Sequence, residues 1–224
     1  MDPDPWRPSE YTAFLLHTLE TEVRHLVHGT VLEIGVGSGA VLAALGGLGA
    51  DRLVGTDIDH DALTQAATLL SEVGQAAELL VGDLWTPLAG RRFDLIVANP
   101  PQFATIAPAY PGRPPSWSQG GPDGRSVMDS LLRGLGRHLA PGGHAILAHN
   151  AFLGTAATAQ LLAEQGLAMR RVASALMPLA PEKRAVMTPA VLDGAGPDTV
   201  RRLGKYTFIA ADILDISSHA DAGG

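Results

Sequence analysis

Three carboxylates and one Asn-Pro-Pro turn stand at or near the ends of short apolar runs in this 224-residue chain. Glu33 lies within the run 30–34 (TVLEI), which leads directly into Gly35-Val-Gly37-Ser-Gly39-Ala40. Asp57 follows the run 52–56 (RLVGT), and Asp83 comes just after the run 77–81 (AELLV). Glycines at this spacing permit a tight turn and let the backbone approach a ligand closely, and the helix that follows offers free N–H groups. A carboxylate only accepts hydrogen bonds, which suits a diol or an exocyclic amine and suits a pyrophosphate poorly. Asp57 sits near the separation of about 20 residues at which an acid meets ribose hydroxyls beyond a glycine loop. A fourth run, 93–98 (FDLIVA), ends in Asn99-Pro100-Pro101-Gln102. The side-chain carbonyl of Asn99 and the main-chain carbonyl of Pro100 can both accept from one NH2 group. Two fixed acceptors turn the lone pair of a planar nitrogen toward an electrophile, and the double proline stiffens them in advance.

These residues need a scaffold that brings strand ends to one rim. Two more runs, 145–148 (AILA) and 206–211 (YTFIAA), have the same apolar character, and helical patterns lie between the runs at 10–27, 40–48, 61–73, 126–139 and 155–165. Near-continuous apolar strands belong to a parallel sheet covered on both faces. The alternation predicts an α/β fold: a doubly wound, seven-stranded, mostly parallel sheet with helices on both sides. Residues 1–215 are expected to form one domain with an N-terminal helical segment at 1–29, and 216–224 a flexible tail. Two stretches break the pattern, 99–124 and 177–204. Loops of that length are functional or disordered, and the first leaves the carboxyl end of a strand, where open sheets bind ligands.

Composition excludes much. There is no cysteine, so disulfides, thiolate metal sites and cysteine nucleophiles are absent together. The formal charge of −7 argues against binding held mainly by nucleic-acid phosphates. No run approaches the roughly 18 apolar residues of a membrane span, and the acidic, proline-rich start does not read as a secretory signal; a cytoplasmic location is expected. No serine-hydrolase elbow, P-loop or tight histidine metal cluster occurs, so no metal is expected. The glycine loop alone also fits nicotinamide or flavin cofactors. An NAD-dependent oxidoreductase would explain it but would leave the Asn-Pro-Pro turn without a purpose.

Taken together, the ordered set resembles the class I S-adenosylmethionine-dependent methyltransferases. The resemblance implies that Glu33 lies near the methionine ammonium and that Gly35, Gly37 and Gly39 pass beneath the cofactor. It further implies that Asp57 binds the ribose, that Ile58 packs on adenine with Leu84 nearby, and that Asp83 meets the adenine amine. Thr12 and Asn99 would also touch the cofactor. Asn99-Pro100-Pro101 is similar to the Asn-Pro-Pro-Tyr of enzymes that methylate amide or amine nitrogen. Two further segments narrow it to the HemK-like protein glutamine methyltransferases of single-domain type. Residues 7–16 (RPSEYTAFLL) resemble that family's P-x-E-D-T-F-L-L, and residues 120–129 (GGPDGRSVMD) its G-G-x-[ND]-G-R-x-V-[ML]-D. The implied reaction is direct displacement of a sulfonium methyl by nitrogen, with Asn99, Pro100 and Gln102 as the catalytic set and Tyr11, Asp123 and Arg125 beside the acceptor.

The departures leave the acceptor open. Gln102 stands where the family has a stacking aromatic and would offer hydrogen bonds to the acceptor instead. Trp117 and Tyr110 in the long loop could supply the missing stacking surface. Tyr11 stands where the family has Asp. The segment 177–204 has no counterpart in short family members, and its Lys183, Arg184, Arg201 and Arg202 could either meet an acidic substrate or form a solvated face. A glutamine amide on a protein leads on the resemblance. A small metabolite methylated on N or O is the alternative, favoured by Gln102 and the insertion. A nucleobase comes third, and the chain leaves room for a homodimer.

Overall fold

A computed structural model describes residues 5–105 and 120–218. Eight strands form one sheet: β1 (Thr30–Ile34), β2 (Arg52–Asp57), β3 (Ala77–Val81), β4 (Phe93–Ala98), β5 (Leu139–Asn150), β6 (Leu167–Pro178), β7 (Val200–Leu203) and β8 (Tyr206–Ser218). The order is β3-β2-β1-β4-β5-β8-β6. β1 to β5 run parallel, and β8 lies antiparallel to both β5 and β6. Helices α1 (Glu10–Thr21), α2 (Ala40–Leu48) and α3 (His60–Glu72) pack their apolar stripes on one face, where Leu15, Leu42 and Leu63 meet Val31, Leu95 and Ile146. On the other face α4 (Ser126–His138) and α5 (Thr155–Ala163) bring Met128, Leu132 and Leu162 against Leu32, Ile96 and Leu147. Alternate residues of β1, β4 and β5 therefore serve opposite cores, which is why Val31 and Leu32, Leu95 to Val97, and Ala145 to Leu147 are all apolar and buried. The doubly wound architecture is the expected one.

Among the described residues the strand count is eight, not seven, the addition being β7 within the segment 177–204. The run LAMRRVASALMP forms β6, an edge strand whose Arg170 and Arg171 interrupt the apolar pattern by facing solvent and Asp215 or Asp212 of β8. The segment 177–204 is no structureless loop. It holds the end of β6, the short helices α6 (Pro181–Val186) and α7 (Pro189–Asp193), and β7. β6 occupies one side of β8 from Phe208 to Ser218, and β5 takes Ala211 to Ile216 on the other. β7 pairs with Tyr206 to Ile209, so it continues the ladder where β5 stops. The insertion thereby protects the open half of a long strand edge. It has its own apolar cluster of Leu179, Met187, Leu192, Val200 and Ile209, packed on Phe103 and Phe152. Of the stretch 216–224 expected as a tail, Ile216, Ser217 and Ser218 are ladder residues of β8, and 219–224 lie outside the described residues.

Candidate active site

The strand order reverses between β1 and β4, the switch point at which such sheets bind ligands beyond their carboxyl ends. A cavity of about 290 Å³ opens there. Its walls come from the β1 turn, the ends of β2, β3 and β4, the last residue of β5, and the segment that enters α1.

On one side lies the glycine turn. Gly35 and Gly37 adopt φ of +78° and +51°, and a Cβ at either would project into open space, so the turn is a cradle that side chains would fill. Asp57 holds this cradle to β2: its Oδ2 accepts from the Gly37 N–H and its Oδ1 from the Asp59 N–H, both at 2.9 Å. Gly35 N–H donates to the Thr56 carbonyl at 2.8 Å. Asp59, not Asp57, caps α3, accepting from the Asp61 N–H. Glu33 is 3 % exposed and its Oε2 has no partner among the described residues. Burial raises its pKa well above the usual carboxylate range, with a main-chain bond from Leu42 opposing and the Asp57 charge adding to the rise. Burial likewise raises Asp57, against the hydrogen bonds that favour its ionised form. Ile58 offers the cavity an apolar side chain that is 59 % exposed, and Leu84 lines it at φ +45°, the one described non-glycine residue with positive φ. Asp83 completes this wall.

An unpaired buried carboxylate oxygen, a side-chain-free cradle, two more carboxylates and an exposed apolar side chain together match the ammonium, chain, hydroxyls and flat ring of S-adenosylmethionine. The lining fits that cofactor.

The opposite side is built by Asn99, Pro100, Pro101, Gln102, Phe103, Tyr11 and Asn150. Tyr11 is buried, its ring edge-on to Phe103 at a centroid distance of 6.0 Å, and its hydroxyl donates to Asn150 Oδ1 at 2.9 Å. Burial, with the Glu10 charge beside it, pushes the Tyr11 phenol far up, so it stays protonated. Lys183 of α6 reaches this side: its Nζ lies 2.8 Å from Glu10 Oε1, 5.2 Å from the Phe103 ring centre and 5.9 Å from that of Tyr11.

The sequence-derived residues divide sharply. Thr12, Glu33, Gly35, Gly37, Asp57, Ile58, Asp83, Leu84, Asn99, Pro100, Gln102 and Tyr11 all line the one cavity. Gly39 does not; it is the N-cap of α2, where a Cβ would strike Ala66 at 2.8 Å. Gln102 touches the cavity, yet its amide does not serve it. The side chain is 3 % exposed, with Nε2 donating to the Ala148 carbonyl and Oε1 accepting from the Asn150 N–H. The expectation that Gln102 offers hydrogen bonds to the acceptor is therefore corrected: a buried amide satisfies itself on the nearest strand. Asp123 and Arg125 also lie outside the cavity lining. Asp123 accepts from the Arg125 N–H, and the Arg125 guanidinium bonds the Leu153 carbonyl, Thr158 and Asp129, so both shape the turn that leads into α4. Trp117 and Tyr110 fall outside the described residues. Of the insertion cations, Lys183 is buried and paired, and Arg202 donates to the Leu192 carbonyl; Arg184 and Arg201 are exposed.

Sequence reasoning missed Asn150, Phe103 and Trp6, all in the lining. Asn150 had a signal, since it ends a parallel strand at the ligand-binding rim. His149 beside it is buried against Thr158 and is not a lining residue.

Residues 9–109 match the methyltransferase small domain family. The release factor glutamine methyltransferase of Moorella thermoacetica is 40% identical over 122 residues, which is 51% of this chain and 43% of that one. A Methanocaldococcus jannaschii chain named for protein N5-glutamine methylation is 31% identical over 144 residues, 64% of this chain and 71% of its own length. The E. cuniculi Mtq2–Trm112 complex, described as methylating the termination factor eRF1, shares the fold with a TM-score of 0.62 at 20% identity, over 96% of this chain and 99% of that one. The chain spans about half the length of the first curated relatives it matches, 43% and 54%. With the cofactor cradle and the Asn-Pro-Pro turn on two sides of one cavity, the chain belongs to the HemK-like family of class I S-adenosylmethionine-dependent methyltransferases.

Proposed function

We propose that this protein methylates the side-chain amide nitrogen of a glutamine in a protein. The observation that carries the reading is that Asn99 and Pro100 line the same cavity as Glu33 and Asp57. Glu33 would take the cofactor ammonium, Asp57 the ribose, Asp83 the adenine amine and Ile58 the ring face. When bound, S-adenosylmethionine supplies a sulfonium methyl open to direct displacement by nitrogen.

An amide nitrogen is a poor nucleophile, because its lone pair is delocalised into the carbonyl. Asn99 Oδ1 and the Pro100 carbonyl accept its two hydrogens, which fixes the plane of the group and favours the electron-rich nitrogen. The prolines keep these acceptors in place without reorganisation. Tyr11 is protonated and cannot act as a base, so the proton leaves to water once the nitrogen carries the methyl group. The relatives named for release factors and ribosomal protein uL3 support a translation protein as acceptor, and such an acceptor places the reaction in the cytoplasm. The acidic balance of the chain favours protein over nucleic acid.

The test is to incubate cell extract, purified release factors and uL3 with the protein and labelled S-adenosylmethionine. Label should enter protein and be recovered as N5-methylglutamine. Label confined to small molecules overturns the reading.

A further inference from the structure

We propose that Tyr11 and Asn150 form a carbonyl reader, through which the acceptor side of the cavity selects a carboxamide over a bare amine; this rests on the glutamine reading above. Asn150 is the last residue of β5, is 0 % exposed and lines the cavity together with Asn99 and Pro100. Its main-chain N–H is held by Gln102 Oε1 at 2.6 Å, and its side-chain Oδ1 accepts the Tyr11 hydroxyl at 2.9 Å. Its Nδ2 has no hydrogen-bond partner among the described residues. A buried donor left unmade is costly, and buried polar groups in native sites are almost always paired.

Tyr11 decides which way the Asn150 amide faces. A protonated phenol must give its hydrogen to an oxygen, and Asn150 Oδ1 is the oxygen it reaches. The reverse orientation would leave both the phenol hydrogen and Oδ1 unpaired. The NH2 of Asn150 is thus the one group of this pair kept in reserve.

A carboxamide offers two hydrogens on nitrogen and a lone pair on oxygen. Asn99 Oδ1 and the Pro100 carbonyl match the first, and Asn150 Nδ2 matches the second. An amine has no oxygen to give Nδ2, and a carboxylate has no hydrogens for Asn99. Bonding at the carbonyl oxygen also holds the acceptor plane by its second end. Tyr11 stands where the resembled family carries Asp, so the pair is a feature of this chain's own residues.

The test measures binding of a Gly-Gly-Gln peptide, and of the same peptide with norleucine for Gln, to the protein saturated with S-adenosylhomocysteine. Asn150→Ala should weaken the glutamine peptide at least tenfold and the norleucine peptide less than twofold. Asn150→Asp keeps the acceptor for Tyr11 and removes the donor, and should lose the glutamine preference in the same way. Tyr11→Phe frees the Asn150 amide to turn and should lose part of it. S-adenosylhomocysteine affinity should stay within threefold throughout. Equal weakening of both peptides, or unchanged glutamine preference in the Asn150 variants, overturns the reader while leaving glutamine methylation standing. If the wild-type protein binds S-adenosylhomocysteine but neither prefers the glutamine peptide nor labels any protein glutamine in extract, the proposed function fails and takes the reader with it.

Discussion

The Asn150 main-chain N–H donates to Gln102 Oε1 at 2.6 Å, and Gln102 Nε2 returns a hydrogen bond to the Ala148 carbonyl at 2.9 Å. The side chain thereby imitates a strand residue and ties the turn after β4 to the end of β5. Replacing it by Leu deletes both bonds and orphans two buried main-chain groups, at a cost of about 2–3 kcal/mol. For a domain of this size that corresponds to a Tm lower by roughly 5–10 °C, measurable by calorimetry. Gln102→Tyr restores the aromatic of the resembled family but overfills a site that is 3 % exposed. Its Tm should also fall, and methylation of a glutamine peptide should not rise.

The cofactor side was legible in the sequence because its parts are local. Glu33 lies two residues before the glycine cradle, Asp57 is the last residue of β2, and Asp83 lies two residues beyond β3. The acceptor side was not. Tyr11 meets Asn150 across 139 positions and Lys183 meets Glu10 across 173, and no local pattern announces such pairs. Gln102 was placed correctly in the chain but its side chain turns into the sheet, a choice made by the unpaired carbonyl and N–H it finds there. Likewise β7 was not legible, because a strand of four residues with three exposed side chains carries no apolar run.

Asn99→Ala removes one of the two acceptors for the amide hydrogens while leaving the cradle intact. By analogy with the loss of one preorganised transition-state contact, kcat should drop about 10²–10³-fold. Affinity for S-adenosylhomocysteine, measured by calorimetry, should remain within threefold. A variant with full activity would show that Asn99 does not orient the acceptor.

On the proposed function, Glu33 adds a binding role to a structural penalty. Burial holds its folded pKa well above the usual value, so the folded state binds a proton that the unfolded chain has already released. Its contribution to stability is therefore fully present below the unfolded value of 4.5 and is lost as pH rises through the raised folded value. Glu33→Gln removes that loss. The cofactor-free variant should melt higher than wild type at pH 7, with the difference shrinking toward pH 4.5. Its affinity for S-adenosylhomocysteine should fall at least tenfold, since the ammonium loses its counter-charge.

His149 gives the opposite pH dependence. Burial, reinforced by the Arg125 charge, lowers its pKa from 6.5 to about 4. Between these values the unfolded chain is protonated and the folded one is not. Stability is retained above 6.5 and lost as pH falls toward 4, by at most about 3 kcal/mol. His149→Asn should flatten this acid limb in melts recorded from pH 7 to pH 4.

Lys183 carries the insertion to the acceptor wall. It is 8 % exposed, pairs with Glu10 of α1, and lies over the rings of Phe103 and Tyr11. The same lobe is stitched to the neighbouring turn by Thr105 Oγ1 to the Val186 carbonyl and by the Thr188 N–H to the Ala104 carbonyl. Because Glu10 keeps substantial solvent contact, Lys183→Met should cost only about 1 kcal/mol, a Tm lower by roughly 2–4 °C. The kinetic effect should exceed the thermodynamic one, since Tyr11 and Phe103 lose the cation that lies over their rings. KM for the acceptor should rise several-fold with S-adenosylhomocysteine affinity unchanged. The exchanged pair Glu10→Lys with Lys183→Glu should recover part of the stability lost in either single variant, the signature of a direct coupling between them. Purely additive losses would mean that the ion pair does not hold the insertion in place.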